Sequence, residues 1–114
     1  MSFKILPLST EDTSHYYKSR RYSNGAGLEI RFWSCYADIS HTASGLKLGK
    51  SLNRKDNKGK TVLSVKDVIS LADKVADLTD WTKSKDEVVA ACTADKGKIY
   101  NLIGEILDKH RSRF

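Results

Sequence analysis

The chain has 114 residues, 39% of them hydrophobic, which suits one domain with its own core and leaves little room for a second. It lacks the roughly 20 consecutive apolar residues of a membrane span and does not begin like a signal peptide. Cys35 and Cys92 lie far apart and far from any histidine at metal-ligand spacing, which excludes a disulfide framework and a zinc site. We therefore expect an intracellular protein without membrane contact, in the cytoplasm or nucleoid, or in the host cytoplasm if a phage encodes it.

The positive charge is concentrated in one part of the chain. The formal net charge is +6, and residues 14–60 contain ten Lys or Arg against three acidic residues. Residues 61–114 contain nine residues of each sign, which cancel. Because the excess is local, it can form one electrostatic footprint for a polyanion.

The first half of the chain has the pattern of β-strands. His15–Tyr22 is rich in aromatic residues and runs into a turn sequence, after which Leu28–Phe32 alternates apolar and polar positions. The two segments predict a hairpin, and alternation places Glu29, Arg31 and Trp33 opposite its apolar face. In the first strand the same period gathers a basic and aromatic row that a hydrophobic core would not choose: Tyr16, Lys18, Arg20 and Tyr22.

The middle of the chain predicts shorter strands around a basic loop. Cys35–Ile39, Leu46–Leu52 and the β-branched Thr61–Val65 have strand character. Residues 53–60 are polar, basic and rich in turn residues, which predicts a mobile hairpin loop. At the start, Met1–Leu8 is apolar enough to be an arm packed on the body or on a partner chain.

The second half has the pattern of helices. Ser64 and Asp67 form a capping-box sequence before an apolar stripe at helical spacing, which predicts a helix over residues 65–79 that covers one sheet face. Ser84 and Glu87 form a second capping box, and a glycine at position 97 interrupts the stripe that follows. The apolar surface of this second stripe is larger than a small sheet needs when the first helix already covers it. We therefore expect the stripe to form a dimer interface, made by Ile99, Leu102, Ile103, Ile106 and Leu107.

The sequence argues against an enzyme. The histidines His15, His41 and His110 are scattered, and no glycine-rich phosphate loop, nucleophile elbow or metal-binding helix motif is present. A solvated loop histidine is favoured for His41 over acid–base chemistry with Asp38 and Ser40. We expect no catalytic residue, no cofactor and no metal.

Basic and aromatic residues on one sheet face are typical of single-strand binding, in which cations follow the phosphates and rings stack on bases. For Trp33, stacking on a base and burial in a second core, together with Tyr36 beneath the C-terminal helix, are equally compatible with the sequence. The predicted nucleic-acid contacts are Lys18, Arg20, Tyr22, Arg31, Trp33, Lys47, Lys50, Arg54, Lys55, Lys58 and Lys60.

Three segments follow one another in an order typical of a known family. Ser19-Arg20-Arg21-Tyr22 is a strand with a basic–Tyr step, and Gly27–Trp33 is an alternating strand after a glycine-containing turn. Gly59–Val68 approaches a last short strand through Gly and Lys and passes from a serine into the helix. Over residues 14–80 this order resembles the eukaryotic transcriptional coactivator positive cofactor four and its bacterial and phage relatives.

The resemblance implies a homodimer whose curved, whirly-like sheets form channels for single-stranded DNA, with little sequence preference. It implies phosphate contacts for Arg20, Arg31 and the Lys58–Lys60 loop, and a place near the bases for Trp33. The region after Trp81 does not resemble the serine-rich tail of the eukaryotic members, so a role in activator-dependent transcription is not inherited. The chain looks more like a phage or bacterial member that serves DNA replication, recombination or transcription.

The sequence thus predicts an α+β fold, a four-stranded antiparallel curved sheet backed by an amphipathic helix (ββββα), with a C-terminal helical extension. The predicted parts are an N-terminal arm at residues 1–13, a DNA-binding core at 14–80 and a C-terminal helix at 81–114. The expected partners are single-stranded DNA, a second copy of the chain, and replication or transcription proteins. Two alternatives stay open: a regulator that binds RNA or duplex on the same basic face, and a phage-type interaction module for an acidic protein.

Overall fold

The structure is a computed structural model that describes residues 3–6 and 20–111. Within these residues an antiparallel sheet is followed by two α-helices and a 3₁₀ turn, so the predicted α+β class is confirmed. The sheet has five strands, where four were predicted: part of the N-terminal arm adds an edge strand and Tyr36–His41 is a separate strand, whereas Thr61–Val65 is not a strand. In chain order, which is also the sheet order, the elements are β1 Lys4–Ile5, β2 Arg20–Ser23, β3 Leu28–Phe32, β4 Tyr36–His41, β5 Leu52–Asn53, α1 Val65–Ala76, α2 Lys85–Leu107 and the 3₁₀ turn Asp108–His110.

The hairpin of β2 and β3 forms where the sequence predicts it. In the turn, the Asn24 side-chain oxygen accepts hydrogen bonds from the backbone N–H groups of Ala26 and Leu28, at 2.8 and 3.1 Å. Gly27 has a φ of +103°, and a side chain there would meet the Trp81 backbone, whose carbonyl oxygen lies 2.0 Å from an ideal Cβ position. The turn therefore needs glycine both for its backbone angle and for the close approach of the chain between the helices.

The strands after β4 are shorter than predicted. In the segment predicted as Leu46–Leu52, Lys47 forms a single bridge with Ser40, and β5 begins at Leu52. Thr61–Val65 is not a strand: Thr61 forms one bridge with Lys55, and the capping serine that follows starts α1. The chain turns at residues 47–49 before β5 and at residues 56–59 after it. These two turns leave no length for a longer ladder.

Both helices begin at the predicted caps. Ser64 Oγ accepts from the Asp67 backbone N–H at 3.1 Å, and the Asp67 carboxylate accepts from the Ser64 N–H at 2.9 Å, which confirms the capping box. At the start of α2, Ser84 Oγ accepts from the Glu87 N–H at 3.3 Å. The Glu87 carboxylate accepts from the Ser84 hydroxyl and not from its backbone N–H, so the second predicted capping box is only half formed. The predicted interruption of the second stripe is also present, because Ala94–Gly97 have non-helical angles and break α2 into two segments.

The core lies between the sheet and both helices. The helix α1 buries Val68, Ala72 and Val75 in it, and α2 adds residues on both sides of its break. Ile103 and Leu107 are 3% and 1% exposed within one chain. Ile103 and Leu107 are therefore core residues, and the prediction that these two side chains form a dimer interface is wrong.

The other three residues of the predicted dimer interface are half-buried rather than open. Ile99 and Ile106 pack against the core cluster, and Leu102 is of intermediate exposure. The core cluster takes buried residues from the sheet, from α1 and from both segments of α2, so the stripe of α2 packs within its own chain. Whether a helical stripe packs within its own chain or on a second copy is a tertiary property, which the periodicity of a helix does not contain.

His41 is a structural residue of the core. Its side chain is fully buried, with Nε2 3.0 Å from the carbonyl oxygens of both Trp81 and Lys83. Carbonyl oxygens only accept, so Nε2 carries a proton and donates to them. Nδ1 lies 2.8 Å from Ser44 Oγ. The predicted solvated loop histidine is wrong: His41 ties the end of β4 to the segment between the helices.

Candidate nucleic-acid interface

The two faces of the sheet differ in what covers them. The core face carries Leu28, Ile30 and Phe32 of β3 and packs against the helices. The opposite face, called the outer face below, alternates with it along each strand. Its strand residues are Lys4, Arg21, Ser23, Glu29, Arg31, Tyr36, Asp38, Ser40 and Asn53.

The register of β2 overturns the predicted basic and aromatic row. Arg20 pairs with Phe32 and Tyr22 with Ile30, so both lie on the core face rather than beside Arg31. The Tyr22 ring packs edge-on against Phe32, with centroids 5.2 Å apart, and is part of the core boundary. Two other members of the row, Tyr16 and Lys18, lie outside the described residues.

Arg21 is the outer-face residue that the sequence reasoning missed. It pairs with Arg31 across the hairpin, which places two guanidinium side chains side by side on this face. The sequence does contain a signal for the position of Arg21. Counting back from the predicted turn places Tyr22 opposite the core residue Ile30, so the residues next to Tyr22 in β2 must point to the outer face. The composition of the strand predicts the wrong face, because only the pairing with β3 decides which side chains point outward.

Arg31 and Trp33 form the centre of the candidate interface. The Arg31 guanidinium carbon lies 5.9 Å from the centroid of the Trp33 ring, within the range of a cation–π contact. The Trp33 backbone N–H donates to the Tyr36 carbonyl at 2.8 Å, so both aromatic residues flank the tip of the β3–β4 hairpin. Trp33 is half-buried and Tyr36 is 40% exposed, which leaves ring surface open to a ligand.

Charges of both signs lie on the outer face. Arg21 is 3.8 Å from the Glu29 carboxylate, and Lys47 is 4.0 Å from that of Asp38, which also accepts a hydrogen bond from the Ser51 hydroxyl. With Lys4 and Arg31 included, four cations meet two carboxylates on the described part of this face. The face is net positive, although less so than the local sequence composition predicts.

Arg54 is not placed for a nucleic-acid contact, which corrects its prediction. Its guanidinium donates to the backbone carbonyls of Trp33 at 2.7 Å and Leu63 at 3.2 Å. The same group lies 5.2 Å from the centroid of the Phe32 ring. Arg54 therefore fixes the backbone under Trp33 from the core side and leaves its charge in contact with protein acceptors.

The remaining predicted lysines lie at two places near the outer face. Lys47 and Lys50 are exposed beside β4, whereas the others lie on the turn after β5. In that turn the Asp56 carboxylate accepts the backbone N–H groups of Lys58 and Lys60, both at 2.9 Å, so the predicted mobile loop has a defined hydrogen-bonded structure.

Comparison of the chain with protein-family models, with curated proteins and with solved structures finds no match. In the part of the chain that the structure describes, no group of three or more His, Cys, Asp or Glu is arranged to hold a metal ion. None of its described helices combines the length and apolarity needed to cross a membrane. The chemistry of the outer face is therefore the basis for inferring a function.

Proposed function

We propose that the protein binds single-stranded DNA on the outer face of its sheet, with little sequence preference. The observation that carries the proposal is the cation–π pair of Arg31 and Trp33 on the face opposite the core, beside the exposed ring of Tyr36. A positive sheet face with open aromatic rings matches the two requirements of single-strand binding, phosphate neutralisation and base stacking.

The proposed contacts divide by chemistry. Arg21, Arg31 and Lys47 are the candidate phosphate contacts, and the rings of Trp33 and Tyr36 are the stacking surfaces. Each stacked base contributes about 1–3 kcal/mol. Phosphates and ring faces carry no base identity, which is the reason for expecting little sequence preference.

Three elements of the proposal depend on the resemblance of residues 14–80 to the positive cofactor four family. They are the whirly-like curvature of the sheet, a homodimer, and service in DNA replication, recombination or transcription. Because Ile103 and Leu107 belong to the core of one chain, the dimer no longer has support from the C-terminal stripe.

The experiment is a binding titration with fluorescently labelled oligonucleotides followed by anisotropy. We expect single-stranded DNA to bind more tightly than duplex or RNA, with log K falling against log salt by about 0.7 for each phosphate contact. Arg31→Ala is expected to lower both affinity and slope. Arg20→Ala is the matched control, since it removes the same charge from the other side of the same hairpin.

Two results would contradict the proposal. One is binding that does not respond to salt, which phosphate contacts do not allow. The other is an equal loss in Arg20→Ala and Arg31→Ala, which would mean that the faces of the sheet do not differ as the register requires. Tighter binding of RNA or duplex would contradict single-stranded DNA as the ligand and leave only the outer face as the binding surface.

A further inference from the structure

A second basic surface lies next to the outer face, in a groove of about 540 Å³ between the turn after β5 and the 3₁₀ turn that ends α2. Its walls include Asn53, Lys55 and Asn57 from one side and Lys109 and His110 from the other. By composition, the C-terminal half of the chain is charge-neutral. The fold brings its basic end against the basic loop of the first half.

Backbone pairing builds the groove. Arg111 forms an antiparallel bridge with Leu52, which holds the end of the described chain along the free edge of β5. On the other side Lys55 bridges to Thr61 and closes the turn. Both walls are therefore fixed by main-chain contacts, so the lysines project from defined positions.

Positive side chains outnumber carboxylates in and beside the groove. Asp56, the acidic residue in its wall, accepts two backbone N–H groups in the turn, and Arg111 is paired with Asp108 at 3.1 Å. Within residues 3–6 and 20–111, the two lysines that line the groove, Lys55 and Lys109, have no carboxylate within salt-bridge distance. The same is true of Lys58 and Lys60, which lie on the same turn as Lys55 but outside the groove lining. An accumulation of unbalanced cations in a groove favours a polyanionic ligand.

His110 adds a hydrogen-bonding ring to the groove. Burial lowers its pKa, the charge of Lys109 lowers it further, and Asp67 acts in the opposite direction. Near neutral pH the ring is therefore mainly uncharged and offers hydrogen-bonding nitrogens beside the lysines. The two asparagines add neutral amide donors to the opposite wall.

The groove is continuous with the proposed site. Asn53 lines the groove and is also the β5 partner of Tyr36 on the outer face. We propose that the groove binds the phosphates at one end of the DNA strand, beyond the nucleotides stacked on Trp33 and Tyr36. This inference rests on the proposed function and extends its footprint onto the C-terminal turn.

Strand length and salt dependence test the inference together. The variant combines Lys55→Gln and Lys109→Gln, one lysine from each wall, and the ligands are oligo-dT of about 5 and about 16 nucleotides, near the limits of common single-strand site sizes. For the long strand we expect the slope of log K against log salt to fall by about 1.4, which is about 0.7 for each lost contact. The short strand, held at the aromatic centre, is expected to lose little.

Lys85→Gln is the matched control. Lys85 is exposed at the start of α2, close to the His41 end of β4. Tyr36 and the proposed site lie at the other end of that strand. It is expected to leave both slopes at the wild-type value. Thermal unfolding followed by circular dichroism verifies that the Lys→Gln variants are folded before their binding is compared.

The outcomes separate this inference from the proposed function. If the double variant keeps the wild-type slope on the long strand while Arg31→Ala lowers it, the groove proposal is overturned and the outer-face site stands. If wild-type protein binds no single-stranded DNA at low salt, both fail. If the double variant abolishes binding of both strands and Arg31→Ala has no effect, the continuous path and the outer-face site are both wrong.

Discussion

His41→Ala is expected to be among the most destabilising substitutions in the chain. It removes the Nε2–H that serves the buried carbonyls of Trp81 and Lys83, and with it the bond to Ser44. A buried acceptor left without its donor costs about 1–3 kcal/mol, and truncating a large buried side chain adds a cavity, for a typical total of about 2–5 kcal/mol. We expect a loss of about 3–5 kcal/mol, a large part of the roughly 5–15 kcal/mol that stabilises a domain.

Urea unfolding, followed by tryptophan fluorescence and circular dichroism, measures the effect. His41→Gln is the control, because its side-chain amide can still donate toward the two carbonyls and fills more of the space. We expect Gln to lose about half as much free energy of unfolding as Ala. A free energy of unfolding for His41→Ala within about 1 kcal/mol of wild type would refute the structural role, since surface substitutions stay in that range.

Three further predictions concern the backbone and the thiols. Gly27→Ala is expected to cost more than about 3 kcal/mol in urea unfolding, because its Cβ would overlap the Trp81 carbonyl at a left-handed backbone angle; a loss below about 1 kcal/mol would contradict that contact. Lys96→Gly is expected to raise the midpoint of thermal unfolding, because Lys96 has a φ of +62° and glycine relieves that strain; a lower midpoint would mean that the break in α2 is not present in solution. A thiol reagent is expected to modify the exposed Cys35 quickly and Cys92 only on unfolding, because burial raises the pKa of the Cys92 thiol; rapid reaction of both would contradict the burial.

The elements that the sequence predicted well are those set by local chemistry. β3 follows from strict alternation of Leu28, Ile30 and Phe32, and α1 begins at a capping box that needs only Ser64 and Asp67. Both signals lie within a few residues of the structure they determine. No distant part of the chain has to be placed before they can be interpreted.

The predictions that failed depend on contacts between distant segments. The composition of β2 is the same whichever face Arg20 and Arg21 occupy, and only pairing with β3 decides between them. Arg54 resembles any other lysine or arginine in a basic loop, yet its acceptors are carbonyls 21 and 9 residues away. A charge count includes its side chain among the free cations, whereas tertiary structure removes it.

The basic groove is a further case. Lys109 lies in a half of the chain whose charges cancel, so composition gives it no part in nucleic-acid binding. The bridge between Leu52 and Arg111 brings it to Lys55, and neither partner of that bridge belongs to a recognisable motif. Electrostatic surfaces assembled from two ends of a chain become visible only once the fold is known.

Intrinsic fluorescence tests the central proposal most directly, because the chain has two tryptophans in contrasting places. Trp81 is 2% exposed, and its indole N–H donates to the Val75 carbonyl at 3.1 Å, so it supplies a constant background. Titration with oligo-dT is expected to quench the emission of Trp33 by stacking, and Trp33→Phe is expected to abolish the quenching while still binding the strand. Binding of DNA without quenching, or equal quenching in Trp33→Phe, would contradict the placement of the strand on the outer face.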